Sequence, residues 1–123
     1  MKRLMFIACA SLAVLVFPLR AAAQHVHADS PKTTLTVTST VVVGTTILQP
    51  GQYRFQCRTF DGRTFLIVTA INGKEIARVP CVKETLDAMV IESDYRSALR
   101  EDGKRTMTSV RIKGELVAHR LLD

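Results

Sequence analysis

The sequence predicts an all-β domain, a small antiparallel β-sandwich of about seven or eight strands, with a closed β-barrel as the alternative. Three observations carry this reading. Gln52 to Arg58 alternates polar and apolar residues without a break. Short apolar stretches recur between turn pairs such as Pro50-Gly51, Asp61-Gly62, Asn72-Gly73 and Lys113-Gly114. Finally, residues 24–123 contain no long amphipathic helix pattern, and their 100 residues match one ordinary domain.

The N-terminus reads as an export signal. Lys2 and Arg3 precede an apolar run from Leu4 to Leu19, and Ala21-Ala22-Ala23 supplies the small residues that signal peptidase accepts. The run is shorter than the roughly 20 residues of a spanning helix, and Pro18 and Arg20 interrupt its end. Cleavage after Ala23 removes residues 1–23, Cys9 among them. Residues 24–32 then form a flexible arm before a single all-β domain at 33–123, with no transmembrane anchor and a periplasmic or extracellular location.

Charge changes meaning once the signal is set aside. The whole chain carries 17 basic and 11 acidic residues, a formal net charge of +6. Lys2, Arg3 and Arg20 leave with the signal, so the domain holds 14 against 11, or +3. That balance suits a soluble exported domain and does not call for a polyanion. The basic residues of Gly103 to Gly114 lack interleaved aromatics, and nucleic acid is not an expected partner.

His25 and His27 lie in the arm beside the new N-terminus. A free amine with His at position two or three can chelate Cu(II), although an N-terminal Gln tends to cyclise and block its amine. The two histidines are weak candidates, and no metal or other cofactor is expected of the domain.

Thr33 to Val43 reads as the first strand, rich in stiff β-branched residues. Leu35, Val37, Val41 and Val43 share one parity and Thr34, Thr36, Thr38 and Thr40 the other. Gly44 closes it, and Thr45 to Leu48 runs extended to a type II turn at Pro50-Gly51. The next strand points Tyr53, Phe55 and Cys57 to one face and Gln52, Arg54, Gln56 and Arg58 to the other.

Two hairpins then check one another. A two-residue turn at Asp61-Gly62 sets Cys57 opposite Leu66, Phe55 opposite Val68 and Tyr53 opposite Ala70. Another at Asn72-Gly73 sets Leu66 opposite Val79 and Val68 opposite Ala77. Both registers give the same apolar face, which a one-residue slip would destroy. The strand from Phe65 to Ile71 is apolar on both faces and belongs mid-sheet.

The opposite face carries Phe65, Ile67 and Ile71 framed by Arg54, Arg58 and Arg78. Arginine stems cover such residues while the guanidinium stays wet, so this is first a solvated surface. It is also the best candidate patch for an anion or a partner.

Pro80 is expected to end the third strand, since it cannot donate to a ladder. Lys83 to Asp87 reads as a polar connection, Ala88 to Ile91 as a short apolar strand, and Asp94 to Asp102 as a loop with one helical turn. Arg105 to Ile112 and Glu115 to Leu121 form the last hairpin around Lys113-Gly114. It places Val110, Ile112, Val117 and Leu121 on the core face and His119 on the same parity, opposite Thr108.

Cys57 and Cys81 remain in the exported domain, and that compartment favours a disulfide worth roughly 3 kcal/mol for a loop of this length. The register argues the other way. One strand lies between the two cysteines, and two strand spacings of about 9.6 Å exceed the ~7 Å limit on Cα separation. Both bridged and free states stay open, bridging requiring Cys81 to fold back over Leu66. No His or acid is spaced to activate either thiol, and the paired short spacings of structural zinc sites are absent from Cys57, Cys81 and His119.

The string Val41-Val42-Val43-Gly44-Thr45-Thr46-Ile47-Leu48-Gln49-Pro50-Gly51-Gln52-Tyr53-Arg54-Phe55 resembles a motif of small exported all-β bacterial proteins of unknown function. Their later features look like Asn72-Gly73-Lys74 and Val110 to Gly114 here. The L-x-P-G-x-Y turn is also similar to that of transthyretin-like and carboxypeptidase-regulatory sandwich modules. The resemblance implies a sandwich and no catalytic residues. The expected role is a non-enzymatic envelope or extracellular interaction module, its partner an unknown protein or envelope component. A small carrier holding an apolar ligand inside the β core is the alternative.

Overall fold

The computed structural model describes residues 29–122, and within them the chain is all β. The segment expected to be an export signal, His25 and His27 lie outside the described residues. Nine strands form: β1 (Thr33–Val37), β2 (Val41–Val43), β3 (Thr46–Leu48), β4 (Gly51–Phe60), β5 (Arg63–Ala70), β6 (Glu75–Thr85), β7 (Asp94–Leu99), β8 (Arg105–Arg111) and β9 (Val117–Leu121). Their hydrogen-bonded order is β1-β4-β5-β6-β9-β8-β2-β3, with β7 paired to β8. The path is open, as a sandwich requires and a barrel does not.

One strand joins the two halves. β6 pairs with β5 from Glu75 to Pro80 and with β9 from Cys81 to Thr85. Pro80 therefore does not end the strand. It is the last residue opposite β5, and its carbonyl accepts the Leu122 N–H at 2.8 Å as pairing passes to β9. Each half buries one face, and Leu35, Val37, Phe55, Leu66 and Val68 meet Val41, Val43, Leu48, Met107, Val110 and Ile112 in one core.

The β4-β5-β6 meander follows the sequence registers. Cys57 faces Leu66, Phe55 faces Val68, Tyr53 faces Ala70, Leu66 faces Val79 and Val68 faces Ala77. Asp61 and Gly62 have φ of 49° and 79°, both positive as a type I′ turn demands. The second turn differs in detail. Gly73 N–H donates to Ala70 O and Ala70 N–H to Lys74 O, which makes a three-residue loop with Gly73 at φ 97°. A register shift beside Val68 restores the expected pairing, so the core face is unchanged.

Elsewhere the chain departs from expectation. The single strand expected from Thr33 to Val43 is broken at Ser39, and its two pieces enter opposite halves as β1 and β2. Gly44 stands first in a two-residue turn between β2 and β3 with φ 65°. A Cβ there would sit 2.9 Å from Val79 Cγ2, so this turn packs directly on β6. Gly51 has φ 157°, far from the value near +80° of a type II turn. Pro50-Gly51 instead carries the chain from one half to the other, from β3 to β4.

Two segments after β6 differ from the expected pattern. Ala88 to Ile91 is not a strand, and only Val90 within it is buried. Val90 bonds the connection after β8, donating to Glu115 O and accepting from Gly114 N–H. Asp94–Leu99 is a strand, β7, and contains no helical turn. Its charged residues fit a strand because β7 pairs on β8 and is half exposed.

Candidate functional site

The outer face of β4, β5 and β6 gathers every residue of the candidate patch. Arg58 stands opposite Phe65 and Arg78 opposite Ile67, with Arg54 one pair further along. Two more residues join them. The Phe60 ring lies 6.2 Å from that of Phe65, with the Arg78 guanidinium 4.5 Å and the Arg58 guanidinium 5.0 Å from its centroid. Arg63 stands 5.6 Å from the Phe65 centroid. Phe60 shares parity with Arg58 and Arg63 with Phe65, so alternation followed to the hairpin tip would have found both.

Carboxylates fix part of this face. Arg78 donates to both oxygens of Glu75 at 3.0 and 2.9 Å, and Arg58 donates to Asp29 at 3.2 Å. The bond from Arg78 holds the Glu75 carboxyl below its ordinary pKa. Among the described residues, Arg54 and Arg63 have no carboxylate within ion-pair reach. A shallow groove beside them is walled by Lys32, Arg54, Gln56, Arg58, Ile67 and Glu75.

A second site lies inside. Cys57 and Cys81 are buried free thiols whose sulfurs stand 3.4 Å apart. The spacing argument against their meeting is thus overturned, because it assumed a flat sheet. Beyond Pro80, β6 has left β5 for β9, and the inward side chain of Cys81 swings back over the β4 face. Cys57 is held from the other side, where Ser30 N–H donates to its carbonyl and its own N–H donates to Ser30 Oγ.

His119 completes the cluster. It is fully buried and faces Val110, two positions from the expected Thr108, because the β8-β9 connection is longer than a two-residue turn. An even shift preserves parity, so the ring still points inward. That longer connection frees Glu115, whose Oε1 lies 2.6 Å from His119 Nε2. The other ring nitrogen, Nδ1, is buried with no hydrogen-bond partner. Both sulfurs and an imidazole nitrogen lie within 4.8 Å of one another.

These groups share their protons unequally. A hydrogen bond with Cys81, and then burial, push the Cys57 thiol far above its usual range, whereas the bond from Cys57 pulls Cys81 down. Of the two thiols, Cys81 is the one shifted toward greater acidity. Burial is the largest single influence on His119 and lowers it, yet the neighbouring Cys57 thiol and Glu115 carboxylate together outweigh burial and the net direction is up. Chemically, such a cluster can close a sulfur–sulfur bond or offer two thiolates and an imidazole. No protein-family model, curated protein or solved structure matches the chain.

Proposed function

We propose that this chain is an exported, non-catalytic β-sandwich module that engages an acidic envelope component through the outer face of β4, β5 and β6. One observation carries the reading: Arg58, Arg63 and Arg78 stand over the rings of Phe60 and Phe65, Arg54 and Ile67 wall the adjoining groove, and two of the four arginines lack a carboxylate partner among the described residues. Arginine over an aromatic ring is preorganised for carboxylate or phosphate. The interior supports a module over a carrier. Leu48, Leu66, Met107 and Ile112 are buried at its centre within one continuous apolar core.

The test has two parts. Expression of the full chain followed by fractionation and N-terminal mass measurement should find an exported product beginning near Gln24. Envelope extract passed over wild type and over an R54E/R63E variant should give capture that the variant loses at least tenfold. An unprocessed cytosolic chain, equal capture by both proteins, or turnover in a broad hydrolase screen would each remove the proposal.

A further inference from the structure

The interior cluster is independent of the outer face and makes a different demand on chemistry. Two sulfurs and one imidazole nitrogen converge where β6 passes between the halves, all three residues buried. The tautomer is set from outside the cluster. Glu115 accepts from His119 Nε2–H, so Nδ1 carries the lone pair, and that atom has no partner. A carboxylate holding the far nitrogen of an imidazole is the arrangement that orients histidine ligands on metals.

The sulfur separation fits an ion between the thiolates. A metal about 2.3 Å from each sulfur at a tetrahedral or trigonal angle sets the sulfurs roughly 3.8 to 4.0 Å apart. A disulfide sets them at about 2.05 Å. From 3.4 Å, the first needs a widening of roughly half an ångström and the second a closure of more than one.

Ligand type and number choose the ion. Thiolates select soft ions, Cu(I) and Zn(II) foremost, and structural zinc takes four ligands. Among the described residues no fourth Cys, His, Asp or Glu atom joins the group, and Glu115 is engaged at Nε2. We propose that Cys57 Sγ, Cys81 Sγ and His119 Nδ1 form a buried three-coordinate Cu(I) site, with Glu115 as the residue that positions the imidazole.

Binding is a proton exchange. Cu(I) forms two copper–sulfur bonds and one copper–nitrogen bond, the protons still held by the thiols leave to solvent, and no electron changes hands. Because the ligands are enclosed, the ion enters as the halves close or through their opening.

The experiment uses the full chain, purified without oxygen in a phosphine reductant that is then removed, and titrated with Cu(I) against a chromophoric Cu(I) chelator. One equivalent should be withdrawn from the chelator, and copper K-edge absorption should show two sulfur neighbours and one nitrogen. C57S and C81S should each weaken retention at least ~100-fold, and E115Q, which keeps all three ligands, about tenfold or more. If the cysteine variants do not fold, the neighbours counted in the wild-type spectrum decide. The proposal is overturned by failure to retain one equivalent, by a shell lacking nitrogen, by Zn(II) displacing Cu(I), or by a Cys57–Cys81 disulfide that forms despite bound copper.

Discussion

Cys57 and Arg58 are neighbours in β4, yet they serve sites assembled by different rules. Arg58 belongs to a face whose members come from two adjacent hairpins, each brought into place by alternation and a tight turn. Cys57 belongs to a cluster drawn from β4, β6 and β9, which meet only because β6 changes halves at Pro80. The first kind of site can shed a member and keep its shape. The second is enclosed, so removal of one member disturbs packing, hydrogen bonding and ligation together.

That contrast is open to measurement. The largest effect should come from inside: His119→Ala in the metal-free protein leaves a hole opposite Val110 and strips Glu115 of its donor, costing about 2–4 kcal/mol by urea denaturation. A loss below ~1 kcal/mol would mean that the ring is not packed as described. Gly44→Ala should follow at about 1–3 kcal/mol, since φ of 65° disfavours a side chain and the new methyl meets Val79. Combining it with Val79→Ala should cost less than the two changes added, because they share one contact.

Outside, the numbers should shrink. Arg58→Ala and Arg78→Ala remove a ring contact and an exposed ion pair each, and should lower the thermal midpoint far less than either interior change. A larger loss would show that the arginine stems support the fold. The smallest effect is a pH dependence. Glu75 has a folded pKa below its ordinary value of 4.5, so its contribution is intact above that value and fades as pH falls through the folded one. E75Q should accordingly lose less stability than wild type between pH 5 and 3 in matched denaturation curves.

The same contrast explains what could be read from the chain. Asp61-Gly62 is a turn of known length, and with it the pairing of Cys57, Phe55 and Tyr53 was determined. Local chemistry sufficed there. The Thr33 to Val43 break at Ser39 has no such marker, because Thr and Val suit a strand on either side of a bend. Pro80 misled in an instructive way: its missing N–H was read as an end, whereas the strand only changes partners there. Once that crossing is missed, Cys81 stays two strands from Cys57, and the meeting of residues 57, 81 and 119 is beyond any spacing rule. Phe60 and Arg63 needed only the same alternation carried two positions further, to the hairpin tip.

A ribbon common to both halves also constrains how the molecule can come apart. Neither half can detach without stripping β6 of one ladder, so partial opening exposes the Cys81 end and the Gly44 corner together. Amide exchange along Val79, Cys81 and Leu121 should then report a single slow opening event, and anything that clamps that crossing will slow the release of the entire domain.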